Sequence, residues 1–208
     1  MIYASESFMN TFEQALISNM ASFDLDLSEE TVTQLAKFYS LLIRWNDRLH
    51  LVAPCAPEEF AVRHVLESLM LLKHLPQDAR VADIGSGGGL PIVPCLIARS
   101  DLHATLLESS QKKAVFLREV SSQLRLNSTV IARPFEQAET PPVSYITCRA
   151  LDQFMQKLPA LIDWAPDSST LLLFGGETLR DELKKTGVKF QDQLIPQSEK
   201  RFLFIATD

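Results

Sequence analysis

The residues best suited to hold a ligand form one short run, Val81-Ala82-Asp83-Ile84-Gly85-Ser86-Gly87-Gly88-Gly89-Leu90-Pro91. Glycines at 85, 87 and 89 remove the Cβ atoms that would keep a ligand away from the backbone. An acid stands just ahead of them. A dinucleotide turn needs G-x-G-x-x-G so that a pyrophosphate meets a helix N-terminus. Counted from Gly85, the sixth position is Leu90, so that pattern fails. The pattern present is D-x-G-x-G-x-G. A carboxylate ahead of such a turn suits a ligand carrying positive charge and suits a pyrophosphate poorly. A tight turn with no ligand is the competing reading.

A second acid narrows the choice. Thr105-Leu106-Leu107-Glu108 ends in a carboxylate at the distance expected for the tip of a neighbouring strand. There it could accept both hydroxyls of a ribose; otherwise it is a helix N-terminal charge or a solvated loop acid. Loop and acid together point to a nucleoside ligand with an ammonium or sulfonium group. S-adenosyl-L-methionine has both, and it is the cofactor expected here.

These groups need a scaffold that brings two strand ends together. Three helices are expected first. Phe8, Phe12, Ala15 and Leu16 recur at helical spacing. Ser28 is a good N-cap for a second helix with Val32, Leu35, Tyr39, Leu42 and Ile43 on one side. After Pro54 and Pro57, a third helix is expected from Glu58 to Leu75, with Phe60, His64 or Val65, Leu69 and Leu72 inward. From Ala79 short apolar runs alternate with helical patterns. Strands are expected at Arg80–Ile84, His103–Glu108, Ser128–Ala132, Val143–Cys148, Thr170–Phe174, Val188–Leu194 and Arg201–Thr207. The intervening helices are Leu90–Arg99, Gln111–Leu124, Asp152–Ile162 and Thr178–Lys185. This alternation predicts a doubly wound, mostly parallel α/β sheet covered on both faces, ending in a hairpin with one antiparallel strand. Residues 1–76 would be a helical extension packed on a core formed by 77–208.

The 208 residues suffice to bury a sizeable core. No apolar run is long enough to predict a membrane span, and the N-terminal residues do not read as a secretory signal. Cys55, Cys95 and Cys148 form no C-x-x-C pair, which argues against a zinc site or disulfide framework and for a reducing cytoplasm. No metal is expected. The net charge is −6, and its excess lies in residues 1–60, which hold nine acids and three bases. Bulk charge therefore argues against a protein that coats naked nucleic acid, while a local basic patch for a structured RNA stays open.

Three motifs carry a family resemblance covering about Leu27 to the C-terminus. Trp45-Asn46-Asp47-Arg48-Leu49-His50-Leu51-Val52 resembles W-N-x-x-x-N-L-T. Arg63-His64-Val65-Leu66-Glu67-Ser68 resembles R-H-x-x-D-S, and Asp83 to Pro91 resembles D-x-G-[ST]-G-x-G-x-P. Leu107-Glu108-Ser109, with Lys112, Lys113, Phe116 and Leu117, and Cys148-Arg149-Ala150 extend the likeness. The chain thereby resembles the RsmG/GidB family, guanine-N7 methyltransferases of 16S ribosomal RNA. It departs from the family at His50 (Asn in the motif), at Glu67 (Asp), at Pro134-Phe135-Glu136 (R-x-E, with Arg133 one place early) and at Gly175-Gly176 (K-G).

The resemblance implies a seven-stranded class I methyltransferase (Rossmann-like) sheet with an N-terminal helical extension. It implies methylation of N7 of a guanosine in the 530-loop region of 16S ribosomal RNA, bare or in the small subunit, by a cytoplasmic monomer. Asp83, Gly85, Ser86, Gly87, Gly89 and Leu90 would hold the methionine part of the cofactor, Glu108 the ribose, and Phe135 and Glu136 the adenine. Arg149, at the end of the fourth strand, would lie near the transferred methyl; its alternative is an ion pair to Asp83, Glu67 or Asp152. The N7 lone pair carries no proton, so no general base is assigned and positioning carries the catalysis. Arg63, His64, Trp45, Arg133 and Lys112 are the candidate RNA contacts, with structural roles as alternatives, above all for His64 and Trp45. Two other functions remain open: a methyltransferase of the same fold acting on a small molecule or protein, and a nucleoside-binding protein without chemistry.

Overall fold

The computed structural model describes residues 6–149 and 154–207, with side chains from residue 9 onward. Helix α1 (Glu6–Asn19) leads through a 3₁₀ turn to α2 (Glu29–Leu49). Ser28 caps α2, its hydroxyl accepting from Thr31 N at 3.2 Å, as its residue type predicts. Of the first helix's expected apolar face, Phe12, Ala15 and Leu16 are buried; the Phe8 side chain lies outside the described residues.

Helix α3 (57–74) differs from the regular helix expected there. It opens as α-helix at Pro57–Phe60, widens to a π-helix over Ala61–Leu66, and ends in α and 3₁₀ turns. Phe60, Val65 and Leu69 are buried as expected, and Leu66 joins them. Within the π-helical stretch Arg63 is exposed and His64 half-buried. Helical periodicity cannot reveal a six-residue change of pitch.

The described strands form a seven-stranded sheet in the order β3-β2-β1-β4-β5-β7-β6. They are β1 (Arg80–Ile84), β2 (His103–Leu107), β3 (Ser128–Ile131), β4 (Tyr145–Arg149), β5 (Thr170–Gly175), β6 (Lys189–Leu194) and β7 (Phe202–Thr207). Their pairings are parallel except for β7, which runs antiparallel between β5 and β6. This is the architecture the alternating pattern predicts, with strand ends within a residue or two of those expected.

Two apolar layers sandwich the sheet. On one face α1, α2, α3, α4 (Ile92–Ala98) and α5 (Gln111–Gln123) pack on Val81, Leu106, Leu172 and Leu203. On the other, α6 (Phe154–Trp164) and α7 (Glu177–Thr186) pack on Ala82, Ile84, Ile146, Leu173 and Phe204. The start expected for α6 at Asp152 lies outside the described residues. The N-terminal helices thus share one apolar layer with the sheet. Strand order reverses between β1 and β4, and in open α/β sheets the crevice beyond the carboxyl ends at such a point is where ligands bind.

Candidate active site

A cavity of about 460 Å³ occupies that crevice. Gly85, Ser86, Gly87, Gly88 and Leu90 form one wall, Glu108, Ser109, Ser110 and Lys113 a second, and Leu51, Val52, Ala53, His64 and Arg149 the rest. The chain leaves β1 through Gly85 (φ 69°) and Gly87 (φ 50°). Gly85 N and Ser86 N both donate to Leu107 O, at 2.9 and 3.1 Å, which ties the glycine loop to β2. Glu108, just past β2, accepts from Gly87 N at 2.8 Å and from Ser110 N at 2.7 Å. An ionised carboxylate has about four acceptor positions, so it keeps capacity toward the cavity it lines.

Asp83 lies on the same face of the sheet but behind the wall. Its side chain is fully buried, and its two carboxylate oxygens have no hydrogen-bond partner among the described residues. The Ser86 hydroxyl donates to the Asp83 main-chain oxygen at 3.0 Å. Burial pushes the Asp83 carboxyl up to about 7, opposed by the neighbouring Ser86 hydroxyl and, to a lesser degree, assisted by the Glu108 charge. Gly89 also stands behind the wall. A Cβ there would come within 2.6 Å of Val93 Cγ2, so this glycine is needed for the close approach of α4.

Opposite the glycine loop, Glu67 is 1% exposed and accepts from two arginines. Arg149 Nη2 reaches its Oε2 at 3.3 Å, and Arg201 Nη2 reaches its Oε1 at 2.6 Å. Arg149 also donates to Arg63 O at 2.6 Å, within the π-helical stretch, and stands over the Phe174 ring at 5.5 Å from its centroid. Arg149 therefore both lines the cavity and makes the Glu67 ion pair that its sequence context offered as an alternative. His64 lines the cavity beside Phe60. Its imidazole is pushed down to about 4 by burial and by the positive charges of Arg149, Arg63 and Arg201, so it is neutral at physiological pH.

Several residues expected at the site lie elsewhere. Phe135 is buried edge-on against Trp164 at 5.8 Å, and Glu136 pairs with Lys157 at 3.1 Å; neither is on the cavity wall. Trp45 packs against Phe116 at 6.1 Å, as core. Arg63 points outward to Glu59, and Lys112 and Arg133 are exposed away from the cavity, whereas the neighbouring Lys113 lines it. The cavity wall also includes Leu51 to Ala53, Ser109, Ser110 and Lys113, which were not among the expected site residues, and Arg201 was not expected at Glu67. Leu51 and Val52 close the W-N segment and Ala53 follows it, which was the available signal. Arg201 has none in the sequence, since it meets Glu67 only through β7.

The fold is that of the class I methyltransferases. A SAM-dependent methyltransferase from Aquifex aeolicus aligns with a TM-score of 0.56 at 14% identity, covering 68% of this chain and 89% of that one. The mitomycin 7-O-methyltransferase MmcR aligns at 0.60 and 14% identity, covering 95% of this chain and 68% of that one. M. jannaschii TYW2, solved in complex with AdoMet, aligns at 0.53 and 13%, covering 69% of this chain and 74% of that one.

Sequence relatives make the assignment particular. The family model for GidB, rRNA small subunit methyltransferase G, matches residues 31–203, and the chain belongs to that family. Ribosomal RNA small subunit methyltransferase G of Acidiphilium cryptum is 43% identical over 70% of this chain, a match that spans 65% of its own length. The protein of the same name from Acinetobacter baylyi is 30% identical over 90% of both chains.

Proposed function

We propose that this chain methylates N7 of a guanosine in the 530-loop region of 16S ribosomal RNA, with S-adenosyl-L-methionine as methyl donor. The observation that carries the reading is the cavity that places Glu108 and the glycine loop on one side and His64 and Arg149 on the other. The residues fit the cofactor. Two positive-φ glycines leave backbone exposed on the wall, Glu108 retains acceptor capacity for a ribose, and Asp83 is an unpartnered buried carboxyl at the same turn. Asp83 acts on the cofactor's positive end from behind the loop, through its charge. The described residues hold no helix long and apolar enough to cross a membrane. Residues 1–76 and 77–208 act as one unit, a cytoplasmic monomer.

When bound, the cofactor would supply a methyl group on a sulfonium, which the N7 lone pair would take as the carbon–sulfur bond broke, with the sulfur keeping the bonding pair. No proton moves, which suits a site whose histidine is neutral and whose acid beside Arg149, Glu67, is held by two arginines. Arg149 and His64 hold the guanine edge, and Lys113 and the outward Arg63 face RNA phosphates. Positioning of this kind supplies much of the rate enhancement when the nucleophile needs no activation.

Calorimetry with S-adenosylmethionine and S-adenosylhomocysteine tests the cofactor, and absence of binding to both would remove the reading. Label transfer to 30S subunits, compared with bare 16S RNA, tests the substrate. The expected result for Arg149→Ala is a turnover loss of at least 100-fold with S-adenosylmethionine affinity changed by less than about threefold. The reverse pattern would move Arg149 into the cofactor site.

A further inference from the structure

We infer that Asn46 is a positioning residue that builds one wall of the cofactor cavity from a distance, by clamping the backbone of the loop after α2. The inference rests on the methyl-donor reading above. Asn46 sits in the last turn of α2 and is not on the cavity wall. Its Oδ1 accepts from Val52 N at 3.0 Å and its Nδ2 donates to Val52 O at 3.1 Å. Both main-chain groups of one loop residue are therefore satisfied by one carboxamide, which pairs with them as a neighbouring strand would. Its main-chain oxygen also accepts from His50 N at 2.9 Å, and His50 holds φ 48°, where the chain turns out of the helix.

The clamp fixes a loop that has no other regular structure. Leu51, Val52 and Ala53 line the cavity. The loop lies against the glycine turn, since a Cβ on Gly88 would stand 3.4 Å from Leu51 Cβ. The chemistry of residue 46 is tightly specified. Alanine lacks both groups, and aspartate keeps an acceptor for Val52 N–H but sets a second anionic oxygen against Val52 O. Without the clamp, Val52 turns its N–H and C=O to water and the wall is no longer held against the glycine loop. His64 and Arg149 are held separately, by α3 and β4. Loss of the clamp should therefore weaken cofactor binding through lost pre-organisation and leave the transfer step in place.

The test compares wild type, N46A and N46D by calorimetry with S-adenosylmethionine, by label transfer to 30S subunits, and by amide exchange over residues 49–56. The expected result is a Kd raised about tenfold in both variants and kcat at saturating cofactor within about twofold of wild type. Faster exchange should be confined to this loop. If N46A does not fold, N46D is read in the same way. An unchanged Kd in a variant whose Val52 amide has lost protection overturns the inference. So does a kcat that falls in step with the thermal midpoint while Kd stays put, because that is the mark of a merely structural residue. Wild type that binds no S-adenosylmethionine overturns the methyl-donor reading and the inference together; wild type that binds, with variants that match it, overturns the inference alone.

Discussion

Glu67 and Asp83 are both carboxyl groups taken out of water on the same face of the sheet, beside one cavity, yet their surroundings are opposite. Glu67 meets two guanidinium groups, one from β4 and one from the residue before β7. Asp83 meets none, and its oxygens have no hydrogen-bond partner among the described residues. A buried charge is tolerated when paired and drifts toward its neutral form when not. Glu67 thus belongs to the framework that holds Arg149 in place. Asp83 is left unsatisfied behind the glycine loop, which costs stability and, on the proposed function, favours a positively charged ligand across that loop.

The largest effect expected tests the ligand side of this contrast. In Gly87→Asp a third acid enters beside Glu108, at a residue whose N–H already binds that carboxylate and whose φ is 50°. S-adenosylmethionine affinity should fall by at least 100-fold, read by calorimetry. Retained affinity would mean that the glycine loop does not touch the ligand.

Glu67→Ala tests the framework side. It leaves Arg149 and Arg201 facing each other without their shared acceptor, and the unfolding free energy should drop by about 3 kcal/mol. Urea denaturation measures it, and a change below about 1 kcal/mol would show that solvent screens the arginines. Asp83→Asn should behave in the opposite sense. The folded-state pKa of Asp83 is raised from 3.8 to about 7. The folded protein therefore binds a proton that the unfolded chain releases, and this group's contribution is greatest at low pH and is lost as pH rises through about 7. Between pH 5 and pH 8 wild type should lose up to roughly 3 kcal/mol from this source. Asp83→Asn should abolish that slope while weakening S-adenosylmethionine binding by about tenfold. An unchanged slope would show that Asp83 is ionised throughout and partnered after all.

Legibility in the sequence follows the same division. The glycine loop, Glu108 and the strand-helix rhythm could be read because each depends on residues close in sequence: a turn, a strand tip, a period. The cap at Ser28 is of the same kind. The Glu67–Arg201 contact spans 134 positions and exists only because β7 inserts between β5 and β6; no local pattern carries it. Phe135 sits where its motif position suggested a cofactor contact, but its ring is drawn into the apolar layer by Trp164. His50, a departure from the family motif, occupies a left-handed helix-ending position. Such positions favour asparagine and accept histidine more readily than most residues, so the departure keeps the turn.

The departure at Gly175-Gly176 gives the smallest expected effect and returns to the Arg149 side of the contrast. A Cβ on Gly175 would lie 2.5 Å from Leu179 Cδ2 and 2.8 Å from Leu179 Cβ. The second distance is to an atom anchored on the helix backbone, so a side-chain rotation alone cannot relieve it. A lysine at 175 would therefore meet Leu179, because α7 approaches β5 closely there. Gly175→Lys should cost about 1–3 kcal/mol through overpacking. In a Leu179→Ala background the same substitution should cost at least 1 kcal/mol less, a coupling that a double-mutant cycle in urea resolves. The alanine keeps the Cβ that stands 2.8 Å away, so additive costs would place the exclusion at that atom and not at the Leu179 methyl groups. Arg201, the residue before β7, reaches Glu67 from beside the strand paired with β5.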